Sequence, residues 1–319
     1  MGAFLHLPAF LLACSTPLVP EPNPAAPMRE MQIYIQQTGK TTLQGLDLLF
    51  FQGGPLESLD AFQHLESVTG GTVLGISSTS ARKVAAFSGG AGDEFRWSDI
   101  RTFASLENRV FRLEDEDPSA PMMYGVADLP EGMRRSCRID LQPMLARITL
   151  RSIACDFTGH GYAGESLKEV RAYLTYACRE CHPFATGLPP SSWINAGRLD
   201  ETDTGGLPRP GMVLQDISPS LSGRISPHLD FFCYPNPSDG SVFGQPVTRL
   251  VIEGKLRGNT YYYPIDLPGL EAGVQYRMDV TLLRAGTTDP DIPAVSGSLI
   301  LENRVMDWDG RELDDVHYR

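Results

Sequence analysis

Residues 147–153 read Arg147-Ile-Thr-Leu-Arg-Ser-Ile153, with Ile148 and Leu150 alternating against Arg147, Thr149 and Arg151. Successive side chains of a strand point to opposite faces, so this spacing predicts a half-buried antiparallel strand with one wet face. The same period returns where Val170, Ala172, Leu174 and Tyr176 alternate with Arg171, Tyr173 and Thr175. It returns again where Tyr276, Met278, Val280 and Leu282 alternate with Arg277, Asp279 and Thr281. Further strands are expected over Met31–Gln36, Leu46–Gln52, Lys83–Phe87, Met122–Ala127, Leu229–Tyr234, Thr248–Glu253, Tyr261–Leu267 and Ser298–Val305. Turn signals separate them: Gly53-Gly54-Pro55, Gly70-Gly71, Pro235-Asn-Pro237, Asp239-Gly240 and Gly258-Asn259. Such alternation predicts an all-β chain built of sandwich modules.

Two segments depart from this period. Leu56, Leu59, Phe62 and Leu65 recur at helical spacing, and Ser98 is placed to cap a second helix carrying Ile100, Phe103 and Leu106. Both are read as short crossover helices packed on the core. A module boundary is expected beyond the strand ending near Ala177, where His182-Pro183 opens a looser Gly/Pro-rich passage. That gives modules at 28–183 and 184–319, each the size of an ordinary sandwich.

The chain of 319 residues carries 27 Lys and Arg against 39 Asp and Glu, a net charge of −12, and no run of Lys or Arg longer than a pair such as Arg134-Arg135. A surface that tracks phosphates needs clustered positive charge, so nucleic acid is excluded as a partner. Residues 1–13, MGAFLHLPAFLLA, hold no Asp, Glu, Lys or Arg. This stretch is too short to span a bilayer as a helix and reads as a signal peptide. Leu11-Leu12-Ala13-Cys14 has the Leu-x-small-Cys form of a bacterial lipoprotein signal, in which Cys14 becomes the acylated first residue of the mature chain. Two or three acyl chains give stable anchoring at a membrane surface. The run 14–27, rich in Pro, has the composition of a semi-stiff polyproline tether. The other five cysteines, Cys137, Cys155, Cys178, Cys181 and Cys233, show no regular spacing, so no dense disulfide framework is indicated and their pairing stays open.

Three motifs invite a chemical interpretation. Cys178-Arg-Glu-Cys181-His182 matches the C-x-x-C-H signature of c-type haem attachment, with both thiols for the vinyl groups and His182 for iron. The motif follows a strand within a β-rich segment, and no helical pattern surrounds it to wall off a porphyrin; a strand-end pair of buried thiols is the plainer interpretation. Adjacent Cys181 and His182 strain the tetrahedral geometry of zinc, so no metal or cofactor is expected. Gly159-His-Gly161-Tyr-Ala-Gly164 spells G-x-G-x-x-G, but the chain runs on into an alternating strand rather than a helix, which makes it a hairpin loop. The acidic run Glu114-Asp-Glu-Asp117 reads as a solvated loop. No nucleophile elbow, H-E-x-x-H helix, P-loop or EF-hand loop occurs, so no enzyme is predicted.

A string of local patterns then resembles a known family. Ser192-Trp-Ile-Asn195, Phe232-Cys-Tyr-Pro-Asn236, Thr248-Arg-Leu-Val-Ile-Glu-Gly254, Tyr261-Tyr-Tyr-Pro-Ile265, Tyr276-Arg-Met-Asp-Val280, Gly286-Thr-Thr-Asp-Pro-Asp291 and Trp308 cover most of 192–308. Met123-Tyr-Gly125, Ala146-Arg-Ile-Thr-Leu150 and Val170-Arg-Ala-Tyr-Leu-Thr175 extend the likeness into the first half. In order and spacing these resemble the Bacteroidales fimbrillin superfamily, in particular the fimbrillin-A-associated anchor and accessory subunits of type V pili. Tyr176 stands where related sequences often have Asn, and the Cys178–Cys181 insertion is peculiar to this chain. The resemblance implies two transthyretin-like, Greek-key β-sandwich domains with one or two short crossover helices, exported as a surface lipoprotein.

It also implies assembly by strand donation, in which a terminal strand of one subunit fills a groove in the next, with main-chain hydrogen bonds for affinity and alternate side chains for register. The candidates here are Met31, Ile33 and Ile35 in the amino-terminal strand, and the tail 298–319 with Leu299, Leu301, Val305 and Trp308 for pockets. Asp309, Glu312, Asp314 and Asp315 keep the end of the tail solvated. Arg29 is a candidate cleavage point for an arginine-specific protease, as in shaft subunits of the family, whereas an anchor would stay uncut and lipidated. Expected partners are other fimbrial subunits, outer-membrane lipid through acylated Cys14, and host surface proteins or glycans. Two alternatives stand beside this: a lipoprotein adhesin or glycan-binding module that does not polymerise, with Tyr124, Trp97, Tyr261, Tyr262 and Tyr263 as stacking surfaces, and an exported c-type cytochrome using Cys178, Cys181 and His182.

Overall fold

The computed structural model describes residues 27–37, 42–89, 97–131, 136–182, 184, 190–294, 297–311 and 313; the signal segment, Cys14 and all of the tether but Pro27 lie outside the described residues. The first part of the chain forms β1 (Met28–Gln37), β2 (Thr42–Gln52), β3 (Leu59–Thr69), β4 (Thr72–Ser78) and β5 (Ala81–Ser88). Then come the helix α1 (Phe103–Glu107), the short β6 (Phe111–Arg112), β7 (Met123–Asp128) and β8 (Ser136–Pro143). Seven of these strands make one sheet in the order β3-β2-β5-β7-β8-β1-β4.

One face of that sheet buries Met31, Ile33, Leu46, Leu48, Phe50, Val84, Ala86, Ile139 and Leu141 in a core of their own. The other face, through Leu49, Phe51, Ala85 and Phe87, joins a larger core that continues into the second part of the chain. β2 and β5 are therefore buried on both faces. Their sequences are runs of apolar residues rather than alternations, as double burial requires.

The second part comprises β9 (Ala146–Cys155), β10 (Leu167–Thr175), the short ladders β11 (Ala177–Cys178), β12 (Glu180–Cys181) and β13 (Trp193–Ile194), the helix α2 (Glu201–Gly205), β14 (Leu214–Leu221), β15 (Arg224–Ile225), β16 (Leu229–Cys233), β17 (Thr248–Leu256), β18 (Asn259–Leu267), β19 (Val274–Leu282) and β20 (Leu299–Asp307). Two sheets face each other. One has the order β14-β10-β17-β18; the other runs β15-β9-β19-β20, with β16 also paired to β9. Ile148, Leu150, Ala172, Leu174, Leu250, Ile252, Tyr263, Met278 and Val280 fill the space between them.

The long described strands up to Pro143 pair among themselves and those from Ala146 onward likewise, while the short β6–β12 ladder joins the two parts. β9 pairs with β19 and β10 pairs with β17, so both strands belong with the later ones despite their place in the chain. Sequence proximity concealed this because hydrogen bonds over more than 70 residues leave no local mark.

The helix expected around Leu56–Leu65 is instead strand β3. A bulge between Phe50 and Phe51 lets Leu59 face Phe51 and Phe62 face Leu49 on one side of the sheet. That extra residue turned a period of two into an apparent period of three. The second helix exists, but its cap is Thr102 rather than Ser98: the Thr102 side chain accepts from Ser105 N, and the Ser105 hydroxyl accepts from Thr102 N, a reciprocal capping box.

Candidate strand-exchange site

β1 is the first described strand and lies inside the sheet. It pairs antiparallel with β4, from Met28 opposite Ser78 to Tyr34 opposite Thr72, and parallel with β8, from Gln32 opposite Ser136 to Gln37 opposite Leu141. Met31, Ile33 and Ile35 all point into the smaller core, with Ile33 wholly buried. Gly75 of β4 stands opposite Met31, and the Ile33 side chain lies across it. A β-carbon there would lie 2.6 Å from Ile33 Cδ1 and 2.9 Å from Phe50 Cζ, so glycine makes the room that Ile33 fills. β4 meets no strand other than β1 through its backbone. The two walls flanking β1 are thus β8 and β4.

The β3–β4 connection explains this order. Gly70 and Gly71 both have positive φ, +82° and +69°, and Ile35 N donates to Gly71 O at 2.7 Å. The chain there opens instead of forming a paired hairpin, so β3 and β4 become the two ends of the seven-stranded order. Side chains then join those ends across a seam. Gln63 Nε2 donates to Leu74 O at 3.0 Å, and its Oε1 accepts from Ile76 N at 3.2 Å. Asp60 accepts from Ser78 N at 2.7 Å and from the Ser78 hydroxyl at 2.6 Å.

Arg29 lies in β1 opposite Ser77, half-buried, and its guanidinium donates to Ala81 O at 2.8 Å and Pro130 O at 3.2 Å. Burial first, and the neighbouring Arg82 charge second, lower its affinity for the proton. Entry of this side chain into the pocket of an arginine-specific protease would first require both hydrogen bonds to break.

At the other end of the chain, β20 is an edge strand paired only with β19, from Val274 opposite Asp307 to Leu282 opposite Leu299. Val305 is buried, Leu299 and Trp308 pack partly on the larger core, and Leu301 remains 37% exposed. The Trp308 ring lies 6.1 Å from that of Phe232 and is capped by the Arg147 guanidinium at 5.9 Å. Beyond it the chain turns back: Asp307 N donates to Arg311 O and Leu313 N to Val305 O. Glu312, Asp314 and Asp315 lie outside the described residues.

The C-x-x-C-H residues are dispersed over two ladders. Cys178 is fully buried in β11 opposite Trp193, and Cys181 sits in β12 opposite Phe111. Burial raises the Cys178 thiol well above its ordinary range and pushes those of Cys181 and Cys233 up to about 12, so all three stay protonated at neutral pH. The five described cysteines are all free thiols. Among the described residues no three His, Cys, Asp or Glu side chains converge as a metal site. Gly159 and Gly164 take positive φ in the loop between β9 and β10.

The acidic run is bonded rather than loose. Glu114 accepts from Arg179, Asp117 pairs with Arg209, and Glu116 is buried, accepting from Tyr234 Oη and Met122 N. The five aromatic residues considered for stacking do not share a surface. Trp97 is buried and donates to Asp47, Tyr124 packs edge-on to Phe184, Tyr263 lies in the core, and the Tyr261 hydroxyl meets that of Tyr162.

The pattern residues of the second half prove to be joints. Asn195 takes φ +56°; its amide donates to Leu174 O, and its Oδ1 accepts from Asp200 N and the Thr204 hydroxyl. Asn236 donates to Pro246 O and to the Thr248 hydroxyl, and accepts from Ser238 N. Both are fully buried with their polar atoms satisfied, as interiors require. Sequence reasoning passed over Asp60, Gln63 and Gly75. The one local signal for them was Gly70-Gly71, which marked a turn without saying that its arms would part.

No family model and no curated protein matches the sequence. Solved structures do match its shape. A protein from Bacteroides eggerthii described as a candidate for cell adhesion superposes with a TM-score of 0.68 at 16% identity, over 89% of this chain and 97% of its own. A fimbrillin from Porphyromonas gingivalis gives 0.62 at 11% identity over 89% and 98%. The chain has the fold of the fimbrillins. A tip fimbrial protein from the same organism, truncated at its carboxyl terminus, adds a TM-score of 0.53 at 10% identity over 88% and 100%. The all-β fimbrillin fold that the resemblance implied is thus matched over 89% of the chain.

Proposed function

We propose that this chain is a non-enzymatic structural subunit of a cell-surface fimbrium, in an anchor or accessory position, held to the outer membrane by acyl chains on Cys14. It joins its neighbours by exchange of a terminal strand and supports adhesion. The observation that carries this is β1: a strand at the amino end of the folded body, hydrogen-bonded on both sides, with Met31, Ile33 and Ile35 seated in a core. Removal of such a strand leaves a two-walled groove, and an extended segment of another subunit restores both sets of backbone bonds and the apolar contacts. The fimbrillin fold supports this reading, and the sheltered Arg29 favours an uncut anchor over a processed shaft subunit.

Mass spectrometry of the mature protein tests the assignment. Acyl chains on Cys14, with residues 15–29 retained and the protein in the outer-membrane fraction, are expected. A mature start at Glu30 would move the chain to a shaft or tip position. Electron microscopy of cells with and without this protein should show appendages altered in number, length or attachment; unchanged filaments, with the protein absent from them, would overturn the fimbrial role.

A further inference from the structure

We propose that Gln63 and Asp60 act as a side-chain strand that holds β4 in place when β1 is absent, so that the groove keeps its second wall and accepts an incoming strand. This rests on the strand-exchange function proposed above and concerns what makes the groove durable.

The reasoning starts from the two edges of β4. Its odd-numbered residues, Val73, Gly75 and Ser77, point their side chains inward and lie opposite Ile33, Met31 and Arg29 of β1. The outer backbone edge, carrying Leu74 O, Ile76 N and Ser78 N, faces β3. No backbone pairing joins β4 to β3. If β1 were the sole support, its departure would free β4 as well, because seven residues with no partner strand cannot keep an extended form against the entropy of the open chain.

Gln63 meets this need with the geometry of a peptide group. In a parallel pair, one residue donates to the carbonyl before its opposite number and accepts from the amide after it. Gln63 does the same with its side chain, donating to Leu74 O and accepting from Ile76 N around Gly75. Asp60 continues the row two residues on, taking Ser78 N on one oxygen and the Ser78 hydroxyl on the other. The Asp60 contact is charge-assisted, the stronger kind. Between them the two side chains satisfy three polar groups of the β4 edge, Leu74 O, Ile76 N and Ser78 N. They also blunt that edge against unwanted pairing, although Leu74 and Ile76 stand exposed on it. The wall that remains presents Gly75 at the centre of the groove, where the incoming strand must place a bulky side chain such as Ile33.

The test uses the full chain with a specific protease site inserted between Gln37 and Thr42, so that β1 is severed after folding but stays bound. Capture of a fluorescein-labelled peptide of residues 27–37 is followed by anisotropy for the parent, for Asp60→Ala/Gln63→Met, and for Glu66→Ala, an exposed position on the same strand. The parent and Glu66→Ala should capture the peptide alike, and the double variant at least tenfold more slowly. Hydrogen exchange at the Ile76 and Ser78 amides should accelerate in the double variant once β1 is severed. Equal capture by parent and double variant overturns the proposed role of the seam and leaves strand exchange standing. No capture by the parent removes the exchange function itself, and the seam's role with it. Should the double variant fail to fold, Gln63→Glu, which keeps the bond from Ile76 N and loses the one to Leu74 O, replaces it: an intermediate rate supports the proposal and a parental rate refutes it.

Discussion

Truncating Ile33 and enlarging Gly75 should each damage the protein, and the two together should do less harm than their sum. Ile33 is fully buried, and Gly75, over which its side chain lies, has no side chain that could move into the vacated space. Ile33→Ala therefore belongs in the upper half of the usual range for such changes, about 3–4 kcal/mol. Gly75→Ala places a methyl 2.6 Å from Ile33 Cδ1 and 2.9 Å from Phe50 Cζ. Overpacking of this kind costs about 1–3 kcal/mol, offset by roughly half a kcal/mol from the smaller entropy loss of alanine in a strand. In the double variant the Cδ1 contact is gone and the new methyl enters the cavity. The changes should then couple by about 1–2 kcal/mol in the stabilising direction, the size seen for residues in contact. Urea unfolding followed by Trp97 fluorescence, with Trp193 and Trp308 replaced by Phe, reports on the sheet that holds both residues. Additivity within about 0.5 kcal/mol would mean that β1 does not fill the groove with Ile33 against Gly75, and the register drawn here would be wrong.

The remaining expectations concern the joints, the thiols and the amino-terminal strand. Asn195→Ala removes three hydrogen bonds and puts a β-branch-free but chiral residue at φ +56°, so a loss of about 2–4 kcal/mol is expected by urea denaturation; Asn195→Gly relieves only the backbone part. Because the thiolate is the reactive form, Cys178 and Cys233 should resist iodoacetamide at pH 8 until denaturant is added, as mapped by peptide mass spectrometry. The folded state holds the Cys233 thiol up at about 12 against about 9 in the open chain, so its contribution to stability is intact below pH 9 and lost as pH rises toward 12, measurable as a falling urea midpoint. Limited digestion with an arginine-specific protease should produce no new amino terminus at Glu30 in the native protein, whereas Ile33→Ala, which loosens β1, should produce one; prompt cutting of the parent would refute the sheltered position of Arg29.

How much of this was legible beforehand depended on whether the deciding contact was local. Strands with one wet face, such as β10 and β19, announced themselves through alternation, and the turns between them through Gly, Pro and Asn. β3 did not, because the bulge opposite Phe50 and Phe51 leaves Asp60 of β3 unpaired in the ladder and shifts its period by one residue. β4, with Gly75 and two serines among seven residues, has too little apolar weight to register, although its glycine is what admits Ile33. The split of consecutive β9 and β10 between facing sheets was invisible because it is fixed by β17 and β19, which lie far along the chain. Of the residues proposed for exchange, Met31, Ile33 and Ile35 lie together in one core, while Leu301 stays exposed at an edge and Val305 turns inward.

In the proposed exchange, that difference between the two ends bears on which of them gives and which receives. Taking β20 away exposes one backbone edge, that of β19, and the exposed edge is the flank of a sandwich already closed by β9 and β17. A strand added there gains one row of hydrogen bonds. Taking β1 away exposes two facing rows and a trench lined by Ile139, Leu141, Val73 and Phe50, so an incoming strand gains two rows of backbone bonds and a buried apolar face as well. A tail held to its own strand by the few hydrogen bonds of Arg311 and Leu313 with Val305 and Asp307 is released at small cost. The energetics thus favour the amino-terminal groove as the receiving site and a carboxyl-terminal segment of a neighbour as the giver. Excising residues 311–319 should accordingly leave capture of a β1 peptide unchanged, and a variant that lost capture on that deletion would reverse the roles.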